Sequence, residues 1–83
     1  MAAAKARVLL IEDDEVQGEI LRALLAQENY IVDYFTDGGS ALTVIDERTY
    51  DLAFIDIYLP DMSGHDVLRQ LRLANAANLT SLL

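Results

Sequence analysis

The chain has 83 residues, which makes one small domain, and at this size folding buries only roughly 60% of the surface an unfolded chain exposes. An apolar share of 53% argues against disorder, while a formal net charge of −8 argues against direct binding to nucleic acid or to an anionic membrane surface. The absence of cysteine excludes a disulfide framework, a thiolate nucleophile and a cysteine-bound zinc, and one histidine is too few for a histidine-rich metal site.

Residues 1–5 read as a frayed lead-in to a short apolar strand, Val8, Leu9, Leu10 and Ile11. That run is too brief for a signal-peptide core or a membrane span, so the expected location is cytoplasmic. Glu12, Asp13, Asp14 and Glu15 close it. Adjacent acids repel one another; taken alone they suit a solvated helix start, where exposed N–H groups favour negative charge. Across residues 15–28, Val16, Ile20, Leu21, Leu24 and Leu25 recur at helical spacing, which predicts a helix with one stripe packed on a sheet. Asn29 stands where that helix ends. Residues 30–35 are β-branched and aromatic, and Asp33 among them predicts an edge strand. Asp37, Gly38, Gly39 and Ser40 predict a turn, and the glycine pair is too little for a phosphate-binding loop. Ala41, Leu42 and Ile45 give the following helix its buried side, and Thr49 and Tyr50 lead into the third strand.

The most informative stretch is DLAFIDIYLPDMSG, residues 51–64. Leu52, Ala53, Phe54 and Ile55 form an unbroken apolar run suited to a strand covered on both faces. Asp56 interrupts it, between Ile55 and Ile57. A carboxylate in that setting is costly to bury without a cation or donors, which places it at the carboxyl end of the strand, opening into a crevice. Pro60 cannot continue a central strand, Gly64 supplies the backbone freedom of a tight turn, and Ser63 with Asp66 has the pattern of an N-cap and its acidic first-turn partner. Val67, Leu68 and Leu71 mark a third helix over residues 64–73. His65 at its start reads as an exposed terminal residue rather than a ligand or a base. Residues 74–78 read as a loop and 79–83 as the beginning of a further strand.

Strand, helix, strand, helix, strand, helix is the alternation that predicts an α/β fold, with a parallel sheet, right-handed crossovers and helices on both faces. Ligands of such sheets bind beyond the carboxyl ends of the strands, where strand order reverses. The first strand ends at Glu12 and Asp13 and the third at Asp56, so if those strands are neighbours three carboxylates converge. A cluster of like charges needs protons or a cation. Oxygen ligands without histidine or cysteine favour magnesium, and an aspartate beside a divalent ion can act as a nucleophile toward phosphorus. Asp56, its direction fixed by apolar neighbours, is the candidate nucleophile.

Taken together these residues resemble the receiver domains of bacterial two-component response regulators. The resemblance rests on the apolar strand ending in Glu12 and Asp13, the Gly38, Ala41 and Leu42 pattern, the run from Asp51 through Asp56, Pro60 and Gly64, and the separation of Asp13 from Asp56. It covers nearly the whole chain. It implies a flavodoxin-like (CheY-like) three-layer α/β fold with strand order 2-1-3, incomplete and stopping as a fourth strand starts, so that residues 1–83 form a truncated receiver domain. It further implies that Asp56 accepts a phosphoryl group from a sensor histidine kinase or a phosphotransfer protein. The implied Mg²⁺ site takes Asp13 as a direct ligand, Glu12 through water, Asp56, and the backbone carbonyl of Tyr58; Asp14 is assigned no ligand role. Phosphorylation in such domains shifts a two-state equilibrium that another domain or protein reads.

A complete receiver has five strand–helix units. The family's switch hydroxyl, at the end of the fourth strand, and its lysine, at the end of the fifth, have no counterparts here, because Thr80 and Ser81 come too early and Lys5 precedes the first strand. The expected consequences are impaired phosphotransfer and an exposed edge on the third strand. Such an edge is a template for a homodimer or higher homo-oligomer, with residues 79–83 helping to cover it. The competing reading is a pseudo-receiver or interaction fragment that is not phosphorylated and acts by protein contact, its acids an inherited surface. A phosphohydrolase with an aspartyl nucleophile would want a second acid close after Asp56; Tyr58 occupies that place, so the chain reads as a signalling domain rather than an enzyme.

Overall fold

The computed structural model describes residues 6–75, and its elements follow the predicted alternation: β1 (Arg7–Ile11), α1 (Glu15–Gln27), β2 (Ile31–Phe35), α2 (Gly38–Leu42), β3 (Leu52–Ile55) and α3 (Gly64–Asn75). The strands form one parallel sheet in the order β2-β1-β3, with Val8 beside Val32 and Leu52, and Ile11 beside Phe35 and Ile55. β1 is the middle strand. Its Val8, Leu9, Leu10 and Ile11 are fully buried, as a strand covered on both faces requires. Successive side chains point to opposite faces. Leu9, Ile11, Ala53 and Ile55 pack with Ala41, Ile45, Tyr50, Val67 and Leu71 beneath α2 and α3, while α1 covers the other face, where Val8 and Leu10 lie. The result is the three-layer, flavodoxin-like arrangement. No helix among the described residues is long and apolar enough to cross a membrane.

α1 ends as Asn29 suggests. That residue has a φ of 68°, and the amides of Asn29 and Tyr30 donate to the Ala26 and Leu25 carbonyls at 3.0 and 3.2 Å, the paired bonds of a left-handed helix cap. The helices depart from expectation elsewhere. Leu21 and Leu25 are half-buried, but Val16, Ile20 and Leu24 are 71%, 55% and 53% exposed, so the apolar stripe of α1 does not pack as a unit. α1 lies over β2 more than over β1, and that row stays exposed to solvent. Residues 37–40 are more than a turn: Asp37 caps α2, accepting the Ser40 amide at 2.8 Å, and the glycine pair forms the helix's first turn. Regular helix stops at Leu42, and Ile45 is buried within the turns that follow. α3 runs to Asn75 rather than ending at Leu73, with Val67 and Leu71 buried as expected. The lead-in at residues 1–5 and the further strand expected at 79–83, with Thr80 and Ser81, lie outside the described residues.

Among the described residues β2 is an edge strand, as Asp33 suggests, yet Asp33 turns inward and is held. Its Oδ2 accepts from Tyr50 Oη and Arg48 Nη1, each at 2.8 Å, and from Arg7 Nη1 at 3.1 Å. Burial alone would raise the Asp33 carboxyl, but these three donors together hold it below the usual carboxylate range. Burial, and then the facing carboxylate, push the Tyr50 phenol up to about 12. The cluster ties β1, β2 and the segment entering β3 at one place.

Candidate metal centre

The sheet ladder continues one residue past two of its strands and in doing so sets the site. The Glu12 amide donates to the Phe35 carbonyl and the Asp56 amide to the Ile11 carbonyl, both at 3.0 Å. Glu12 is thereby fixed beyond β1, and Asp56 beside it beyond β3. One carboxylate oxygen from each of Glu12, Asp13 and Asp56 lies within 4.8 Å of the other two. Glu12 and Asp56 are half-buried and Asp13 is exposed. Burial raises the Glu12 carboxyl above its ordinary value, and the facing carboxylates of Asp56 and Asp13 add to the rise. A cation would relieve that repulsion. The donor set is all oxygen and doubly or triply anionic, which suits a hard divalent ion such as Mg²⁺.

Surrounding groups aim these carboxylates. Asp14 is the N-cap of α1, its Oδ1 accepting from the Val16 and Gln17 amides at 3.0 and 3.2 Å, while its own amide donates to Glu12 Oε2 at 3.1 Å. The Tyr34 hydroxyl donates to the Glu12 carbonyl at 3.2 Å. On the other side, the Tyr58 amide donates to Asp56 Oδ1 at 3.0 Å. Gly64 acts differently from the expected flexible turn: its φ is not positive, and a Cβ there would collide with the Asp56 carbonyl oxygen. Its amide donates to the Ile57 carbonyl at 2.9 Å. Glycine is needed because the start of α3 packs directly on the phosphoacceptor candidate's backbone. Ser63 Oγ accepts the His65 amide at 3.1 Å, the capping bond foreseen for it, and His65 itself is exposed.

Three contributors are not singled out by the sequence reading. Asp61 accepts from the Gly38 and Gly39 amides at 3.0 and 2.8 Å, lashing the β3–α3 loop to the start of α2. Those backbone bonds hold its carboxyl below the usual range. Tyr34 and Gly18 are the other two and act together. Gly18 lies buried within α1, where a Cβ would overlap the Tyr34 phenol. Glycine costs about 1 kcal/mol relative to alanine inside a helix, so its presence there is a legible signal of a close approach.

Comparison with known proteins agrees with this geometry. The family described as the response regulator receiver domain matches residues 8–81. The regulatory protein VanRB of Enterococcus faecalis is 48% identical over 69 residues, which is 83% of this chain and 31% of that protein. A CheY-like response regulator receiver domain from Methanospirillum hungatei superposes with a TM-score of 0.87 at 26% identity, covering 95% of this chain and 63% of that one. The receiver domain of the sensor histidine kinase PA1611 of Pseudomonas aeruginosa, solved with a magnesium ion coordinated in its active-site cleft, superposes with a TM-score of 0.81 at 27% identity over 96% of this chain and 68% of that one. The family match, together with a parallel three-layer domain bearing an acidic rim at the carboxyl ends of its strands, defines the class, that of two-component signalling domains. The chain belongs to the response regulator receiver domain family. It spans about a third of the length of curated relatives such as VanRB, at 31%.

Proposed function

We propose that the chain is a phosphoacceptor in a two-component phosphorelay, taking a phosphoryl group on Asp56 from a sensor histidine kinase or phosphotransfer protein. The observation that carries this reading is the convergence of Glu12, Asp13 and Asp56 within 4.8 Å. Asp13 and Asp56 would ligate Mg²⁺, with Glu12 acting through water and the Tyr58 backbone carbonyl completing the protein's share. The bound ion would supply positive charge opposite the phosphoryl oxygens. The chain's own residues do the rest. The bond from phosphorus to the donor breaks as one to an Asp56 carboxylate oxygen forms, leaving an acyl phosphate. The Tyr58 amide, holding Asp56 Oδ1, and the Gly64 contact fix the direction of the acceptor. The domain is consumed and regenerated in signalling rather than turning over a substrate of its own.

The test is incubation with a small phosphodonor and Mg²⁺ followed by intact mass. One phosphoryl adduct is expected, absent from Asp56→Asn; an adduct that persists in that variant removes Asp56 from the role. Mg²⁺ should also raise the melting temperature of the wild type and not that of Asp13→Ala.

Partners and location follow from the same features. β3 has no strand neighbour on its outer side among the described residues, which supports self-association through that strand edge. Light scattering at micromolar concentration should then show a dimer or larger. A net charge of −8 supports a domain that does not itself bind nucleic acid, and a cytoplasmic location is the reading that accompanies the receiver family.

A further inference from the structure

We infer that Tyr34 is a positioning residue for the carboxylate site: its hydroxyl, passing over Gly18 to the Glu12 carbonyl, fixes the strand-to-helix corner that presents Glu12 and Asp13. This rests on the magnesium reading above. At Glu12 the chain leaves β1 and turns toward α1, so its carbonyl has passed the end of the regular ladder. β2 supplies both of its main-chain bonds. The Phe35 carbonyl takes the Glu12 amide at 3.0 Å, and the adjacent Tyr34 hydroxyl donates to the Glu12 carbonyl at 3.2 Å. Asp56 is anchored on the opposite side of β1, through the Ile11 carbonyl. The distance between the two ligand-bearing segments therefore depends on how firmly Glu12 is held to β2.

Gly18 supplies an independent observation. It is buried in the interior of α1, and a Cβ there would overlap Tyr34 Oη and Cζ. Helix propensity favours any ordinary residue at that position; only glycine leaves the phenol its path. The same turn of α1 closes the circuit. The Gly18 amide donates to the Asp14 carbonyl at 2.8 Å, Asp14 caps the helix, and the Asp14 amide donates to Glu12 Oε2 at 3.1 Å. Tyr34 thus holds the main chain of Glu12 while the helix start holds its side chain. A preordered corner gives the ion ligands already in place, and freeing the corner makes binding include the cost of ordering it.

The experiment is calorimetric titration of Mg²⁺ into the 83-residue wild type, Tyr34→Phe, Gly18→Ala and the double variant, with melting temperatures in chelator as a control on folding. Tyr34→Phe keeps the ring and loses one hydrogen bond, so its Mg²⁺ dissociation constant should rise about threefold to tenfold while its melting temperature in chelator changes little. Gly18→Ala should weaken Mg²⁺ similarly by displacing the phenol, and the double variant should be no weaker than either single one. Wild-type affinity in Tyr34→Phe overturns the inference. So does a melting temperature lowered equally with and without Mg²⁺ at unchanged affinity, which is the mark of a purely structural bond. Should the wild type itself bind no Mg²⁺, the metal reading fails and this inference with it, an outcome distinguishable because it appears before any variant is compared.

Discussion

Asp33 and Asp56 belong to the two outer strands of one small sheet, and their surroundings are opposite. Asp33 is a single carboxylate facing Tyr50, Arg48 and Arg7, and the donors hold its proton affinity down. At the carboxyl rim Glu12, Asp13 and Asp56 face one another, and there the affinity of Glu12 for a proton goes up. A cluster whose charge is balanced by the protein's own donors serves as scaffold. One that leaves negative charge unbalanced favours a proton or a cation, and this is the physical content of calling the rim a site.

The sharpest way to break this contrast is to remove one acid from each cluster. Asp33→Ala leaves the Tyr50 hydroxyl, on a residue only 1% exposed, without its acceptor and two guanidiniums without their partner. Urea unfolding should show a loss of about 2 kcal/mol, set mainly by the stranded polar groups. Asp13→Asn, by contrast, relieves repulsion, so in metal-free buffer it should melt at or above the wild-type temperature while losing the Mg²⁺ response. If the two variants destabilise alike, the rim is scaffold too.

A smaller effect lies in the pH dependence of the same scaffold. Asp33 is depressed in the folded state, so its stabilisation is complete above the unfolded carboxylate value of about 3.9 and is lost as pH falls through the folded value below it. Tyr50 is raised from 10.0 to about 12, so its contribution is complete below pH 10.0 and is lost as pH rises toward about 12. Thermal melts of Asp33→Asn and Tyr50→Phe should each show a flatter limb, acid in the first and alkaline in the second. A Tyr50→Phe profile as steep as wild type above pH 10.0 would assign that limb to other groups.

How much of this could be read beforehand depended on sequence distance. The rim was legible because each acid directly follows an apolar strand, Ile11 before Glu12 and Ile55 before Asp56; alternation of elements makes those strands parallel, and the order 2-1-3 implied by the resemblance makes them neighbours. Asp33 carried half its message: an acid in a strand signals an edge, but its partners Arg48 and Tyr50 stand 15 and 17 residues away, in a connection without periodicity. The α1 stripe misled because helical spacing shows that a face is apolar and not what covers it. Gly64 misled in a subtler way. Glycine announces either backbone freedom or close approach, and only the position of the Asp56 carbonyl decides between them.

The weakest perturbation tests whether location or donors make the difference, because Asp61 belongs to the rim side of the sheet and yet resembles Asp33. Its carboxylate takes the Gly38 and Gly39 amides, and these bonds draw it below the usual range, the reverse of Glu12. Those amides open the first turn of α2, whose five residues hold few bonds of their own. Asp61→Ala should therefore leave the global melting temperature nearly unchanged, since the group is exposed, while amide exchange at Gly38 and Gly39 quickens and that at Ile11 and Ile55 does not. Unaltered exchange at both glycines would mean that water replaces the carboxylate without loss. Faster exchange confined to them would show that an acid on this rim is a strut wherever backbone donors meet it, which leaves Glu12, Asp13 and Asp56 distinguished by what they face rather than by where they are.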